Sequence, residues 1–223
     1  MYCRTVAQEW NRILPEHLWI YNKLFLSQRL GYTCGPMGLE VPKPGFYIVR
    51  PCMNLMGMGR YSRIEWIEEN TEHLHPAEFW CEVFEGDHIS VDYEYHEDRT
   101  GCYPQWMQEH SVDYHVKRQR LAVQGFRDTE KLYRFSKWEK VDVQIPYPDI
   151  LTTIGMYRYG WINCEFIGGK LIEVHFRRNP DFAYNNTVCI PVWHDEEVVK
   201  KDGYTFIEEQ DYLRKGFYVD RQT

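Results

Sequence analysis

The stretch INCEFIGGKLIEVHFRRNPDF, residues 162–182, places Glu165, Glu173, His175 and Arg177 on what reads as one buried β-hairpin. Alternation puts Ile162, Cys164 and Phe166 on one face of its first strand, with Asn163 and Glu165 on the other. In the second strand Ile172, Val174 and Phe176 face one way, and Leu171, Glu173, His175 and Arg177 the other. A two-residue turn at Gly168-Gly169 pairs Ile167 with Lys170, which sets Glu165 opposite Ile172 and mixes apolar with polar faces. A three-residue connection or a bulge restores the match and brings Glu165 beside Glu173; the two glycines permit such a loop. Like charges at cross-strand distance repel, so the register predicts a cation between the two carboxylates.

The rest of the chain is consistent with a folded protein that has room for such a site. Its 223 residues allow one sizeable core or two small lobes, and 43% hydrophobic with 16% aromatic content excludes a disordered chain. A formal charge of −7 argues against general nucleic-acid binding, which needs a broad basic surface. No apolar run reaches membrane-spanning length and residues 1–12 lack a signal-peptide pattern. Seven scattered cysteines without a C-x-x-C pair read as reduced thiols in packing roles. These features predict a soluble, cytoplasmic protein with no membrane partner.

Local patterns order the elements. Leu18, Tyr21, Leu24, Phe25 and Leu30 follow helical spacing, and Gly31 is placed to end that helix. GFYIVRP is a strand stopped by Pro51, and CMNLMGMGRYSR follows with Gly57 and Gly59 at its centre. Two strands joined near Gly86 and Asp87 account for EFWCEVFEGDHISVDYEY. HVKRQR, residues 115–120, reads as a charged edge strand, or else as a site for an anionic substrate group. A short helix is expected from Pro148-Asp149 through ILTTIGMY, and Asp202-Gly203 predicts a further hairpin.

Three segments together resemble the ATP-grasp superfamily, which includes carbamoyl phosphate synthetase, biotin carboxylase and D-alanine–D-alanine ligase. NCEFIGGKLIEVHFR resembles its metal-binding hairpin, YIVRPCMNLMGMGR its phosphate-binding strand and mobile glycine-rich loop, and FWCEVFEGDHISVDY its adenine-binding hinge strand. WIYNKLFLSQRLGYTCG is similar to the helix that leads into that fold. The resemblance covers roughly residues 17–182. It implies an α+β, ATP-grasp-like fold: two lobes of mainly antiparallel sheet with helices, enclosing a nucleotide cleft. Residues 1–190 would form this domain, with a lead-in helix at about 17–30, a small lobe at about 45–80 and a large lobe at about 81–182. Residues 191–223 would be a C-terminal extension.

The resemblance also assigns roles. Glu165, Glu173 and His175 would hold Mg²⁺, a hard cation normally bound by one or two carboxylates plus substrate phosphates. His175 stands where the family usually carries Asn; imidazole favours Mn²⁺ or a phosphate contact instead. Arg50 would neutralise phosphate charge, the backbone around Gly57 and Gly59 would close over the phosphates, and Glu82 and Phe84 would meet adenine. His88 falls near the ribose position. Arg177 would stabilise the transferring phosphoryl group. The implied activity joins a carboxylate to an amine, from small-molecule or peptide substrates, through an acyl phosphate made with ATP. The family's separate N-terminal domain is absent, so a protein partner is expected to replace it. Two other readings remain: a non-catalytic nucleotide-binding or assembly protein, and a small-molecule kinase. Each feature taken singly has an ordinary explanation too, the two glutamates as a solvated, salt-bridged hairpin face and GMG as a turn.

Overall fold

A computed structural model describes residues 10–53, 59, 61–97, 115–128, 131–152, 159–209 and 213–220. Its strands form two sheets in which every neighbouring pair is antiparallel. The smaller comprises β1 (Cys34–Pro36), β2 (Gly45–Pro51), β3 (Arg63–Ile67) and β4 (Glu78–Glu82), in the order β1-β4-β2-β3. The larger contains β5 (His88–Glu97), β6 (His115–Arg127), β7 (Phe135–Lys140), β8 (Trp161–Ile167), β9 (Lys170–His175), β10 (Val188–Trp193), β11 (Tyr204–Glu208) and β12 (Arg214–Asp220). Its order is β11-β12-β10-β7-β6-β5-β8-β9. Among the described residues helical structure is confined to short pieces, including a 3₁₀ segment at Pro15–Tyr21, α1 (Lys23–Arg29) and α2 (Asp149–Thr152). This is the α+β arrangement of two mainly antiparallel sheets that the sequence predicts.

The lead-in helix is broken where one continuous helix was expected. Asn22 takes an extended conformation, and its side-chain oxygen accepts from the backbone N–H groups of Leu24 and Phe25 at 3.1 and 3.2 Å. Asparagine favours this cap over a mid-helix position because its amide competes for backbone partners. The break ends the 3₁₀ segment and starts α1, with Lys23 at its first turn. Of the helix expected from Pro148, Asp149–Thr152 is formed; residues 153–158 lie outside the described residues.

Strands β10, β11 and β12 all belong to the larger sheet. The boundary expected at 191 falls inside β10, which pairs with β7 and with β12. Cys189, Phe217 and Val219 share a core cluster with Val123, Phe135 and Trp138, so burial of their apolar face binds these strands into the larger sheet. HVKRQR forms the first part of β6, which pairs there with β5 alone; β7 joins only from Val123. Arg118 and Arg120 are exposed there, and Arg120 pairs with Glu94 of β5 at 2.5 Å. Their charges line a stretch with no second partner strand among the described residues, as a charged edge does.

One face of the larger sheet buries Val91, Tyr93, Ile162, Cys164, Phe166 and Val174 against Ile20, Leu26 and Leu151. The helical lead-in is held there by apolar contact, at about 1.5–3 kcal/mol for each large side chain fully buried. The opposite face carries the acids. Because cross-strand partners share a face, the register groups Ser90, Glu165 and Glu173 in one row and Asp92, Asn163 and His175 in the next.

Candidate metal and phosphate site

Of the two devices that would match its faces, the hairpin uses the bulge. Gly168 and Gly169 make a two-residue turn with φ of 54° and 77°, pairing Ile167 with Lys170 and Phe166 with Leu171. A bulge follows, and Glu165 then stands opposite Glu173. The extra residue is Ile172, so Leu171 falls on the apolar face with Phe166 and not beside Glu173, where simple alternation puts it. One glycine carries a tertiary constraint as well. A Cβ on Gly168 would lie 1.9 Å from the Glu85 carbonyl oxygen, in the turn joining the two sheets, and the Gly168 N–H donates to Asp87 O at 3.0 Å.

Glu165, Glu173 and His175 each offer a ligand atom, and these atoms lie within 4.8 Å of one another. Ligands of an octahedral ion with bonds of about 2.1 Å stand about 3–4 Å apart, so small side-chain adjustments would complete such a set. Both carboxylates are held ionised. Burial pushes the Glu165 carboxyl up, but the His88 hydrogen bond and the charge of His175 bring it below its ordinary value despite the like charge of Glu173. Burial acts the same way on Glu173, and Lys23 and His175 hold its carboxyl well below the usual range.

Lys23 is the residue that sequence reading missed. Its ammonium lies 2.8 Å from Glu173 Oε2, and its side chain is only 6% exposed against 12% for Glu173. His175 Nε2 lies 3.3 Å from the other Glu173 oxygen. Glu165 is supported from the opposite side. Arg127 Nη2 donates to His88 Nδ1 at 2.8 Å, which leaves Nε2 to donate to Glu165 Oε2 at 3.0 Å. The His88 ring packs edge-on against Phe135 and Trp138. Its cross-strand partner Gly125 makes room, since a Cβ there would meet both aromatic rings at under 3 Å. His88 is buried with both ring nitrogens engaged, and it supports Glu165.

Across from the acids, the smaller sheet presents Arg50. It is 6% exposed, its guanidinium stacks over Phe79 at 5.1 Å, and its Nε and Nη2 have no hydrogen-bond partner among the described residues. Burial lowers its pKa while the charges of Glu173 and Glu165 oppose that shift. A buried cation with unused donors, within the field of two acids, suits an anion bridged to a metal.

The remaining expected residues are placed as follows. Glu82 ends β4 and is tied to Thr33, whose N–H donates to Glu82 Oε1 at 2.8 Å and whose carbonyl accepts from the Glu82 N–H at 2.9 Å. Phe84 follows it and packs edge-on against Tyr32 at 4.7 Å. Gly59 adopts φ 64°, and Gly57 lies outside the described residues. Arg177 lies beyond the end of β9, and its charge acts on Asp92 and Asp181. Asp92 is 3% exposed and accepts from Asn163 Nδ2 at 2.8 Å and from the Asn179 N–H at 3.0 Å. Burial nevertheless raises its carboxyl to about 6.

No protein-family description matches this sequence, and no curated protein does. Among solved structures, one from Archaeoglobus fulgidus, described provisionally as an ATP-grasp superfamily protein, is similar over 91% of this chain. The identity is 12% and the TM-score 0.46, and the match spans 64% of that longer protein. A likeness this loose does not carry an assignment; the site has to. No helix among the described residues is long and apolar enough to cross a membrane.

Proposed function

We propose that the chain binds MgATP, or MnATP, between its two sheets and uses it to activate a carboxylate for attack by an amine, as an ATP-grasp ligase does. The observation that carries this reading is the pairing of the Glu165–Glu173–His175 cluster with the buried, unpartnered donors of Arg50. Glu165 and Glu173 would hold the metal, and His175 would complete the set or touch a phosphate. The metal, when bound, would neutralise phosphate oxygens and so favour phosphoryl transfer. Arg50 would bind the phosphates. Lys23 would orient Glu173, and the Arg127–His88 pair would orient Glu165. Positioning and charge neutralisation suffice for this chemistry, so no nucleophilic side chain is required.

A second reading is favoured by Lys23, which already neutralises Glu173 without any ion. It is a nucleotide-binding or assembly protein that no longer turns ATP over. Titration calorimetry with ATP and Mg²⁺ tests the binding that both readings share. ADP release with pools of carboxylates and amines separates them: turnover supports the ligase, and tight binding without turnover supports the binding protein. Absence of metal-dependent nucleotide binding removes both.

A further inference from the structure

Cys34, Cys52 and Cys81 meet in one apolar cluster with Leu24, Phe79 and Phe84, next to Arg50. Two of them are also paired by the sheet: Cys34 of β1 stands directly opposite Cys81 of β4. Opposed residues of antiparallel strands have Cα atoms about 4.5–5.5 Å apart. A disulfide spans about 4.4–6.8 Å, so this pair can be bridged without moving the strands. The two thiols differ in access. Cys34 is half-buried and Cys81 buried. The neighbouring Cys81 thiol and the charge of Arg50 draw the Cys34 thiol below its ordinary pKa, while Cys34 and burial push Cys81 up. One thiol is thus accessible and inclined to ionise, and its neighbour keeps its proton.

We propose that Cys34 and Cys81 are an oxidation site, a thiol pair that hydrogen peroxide converts to a cross-strand disulfide. The Cys34 thiolate attacks the peroxide oxygen; the O–O bond breaks, and the departing hydroxide takes a proton to leave as water. Cys34 is then a sulfenic acid. The Cys81 sulfur attacks the Cys34 sulfur, the S–O bond breaks, and the hydroxide leaves with the Cys81 proton as a second water. Two thiols are oxidised and one peroxide is reduced to two waters. Nothing in this step depends on nucleotide binding, so it stands or falls apart from the proposed function.

The test treats the full chain with hydrogen peroxide, alkylates the remaining thiols and maps peptides by mass spectrometry. A linked Cys34–Cys81 peptide is expected in the wild type and in Cys52→Ser, and none in Cys34→Ser. In Cys81→Ser, dimedone should label Cys34, because the resolving thiol is gone. Full alkylation of Cys34 and Cys81 after peroxide, or a bridge from Cys34 to Cys52 in place of Cys81, overturns the proposal. The wild-type map decides the matter even if a variant fails to fold.

Discussion

Lys23 changes what a substitution at Glu173 means. On the hairpin alone, an amide at Glu173 is nearly isosteric and should leave the fold intact. With the Lys23 ammonium buried 2.8 Å away, the same change strips a desolvated cation of its counter-charge. Glu173→Gln should therefore cost about 3 kcal/mol in urea unfolding, and Lys23→Met combined with Glu173→Gln should recover most of that. Additive losses would show that the two side chains do not interact as placed. Arg50 leads to the opposite expectation. Its Nε and Nη2 are buried without partners among the described residues, so Arg50→Met should leave stability unchanged or raise it. The same variant should weaken MgATP binding by about 2–5 kcal/mol in calorimetry, because phosphate charge in the cleft loses its cation. A variant that unfolds readily yet binds as before would make Arg50 a structural residue.

At the scale of elements, the glycines of the β8–β9 turn separate local strain from tertiary contact. Both have positive φ, but a Cβ on Gly169 would meet nothing within 4 Å, whereas one on Gly168 would run into the Glu85 carbonyl. Gly169→Ala should cost about 1–2 kcal/mol from backbone strain alone. Gly168→Ala should cost clearly more, about 3–5 kcal/mol, because the clashing atom is backbone and the turn between the sheets must shift. Equal losses in thermal or urea melts would show that the turn does not press on residues 85–87. This hairpin was the most legible part of the sequence, since mismatched faces demanded a bulge and the bulge put Glu165 against Glu173. The broken lead-in helix was less so: its apolar spacing runs straight through Asn22, whose capping role depends on a local hydrogen-bond choice that periodicity does not register. The place of β10–β12 was hidden for a different reason. Asp202-Gly203 marks a hairpin here, but pairing of β10 with β7, some 50 residues earlier in the chain, is a long-range choice.

For the whole molecule, the acids on one sheet face make stability depend on pH in two opposing ways. The carboxyls of Glu165, Glu173 and Asp181 are depressed in the fold, where Arg214 does for Asp181 what Lys23 does for Glu173. Their contribution is complete above the unfolded carboxyl pKa of about 4 and is lost as pH falls through the folded values. Asp92 runs the other way. Burial holds its folded carboxyl at about 6, so between about pH 4 and 6 the folded protein binds the proton that the unfolded chain has released. Its contribution to stability therefore declines as pH rises through that window and stays at its low level above it. The shift corresponds to at most roughly 3 kcal/mol. Asp92→Asn keeps an acceptor for Asn163 and the Asn179 N–H but cannot ionise. Urea unfolding of both proteins between pH 3.5 and 7 should thus show the variant gaining on the wild type from about pH 4 to about 6, and the two curves running parallel outside that interval. A constant difference across the whole range would mean that Asp92 titrates in the fold as it does in the unfolded chain, and that the row it shares with Asn163 and His175 is more open to water than its burial implies.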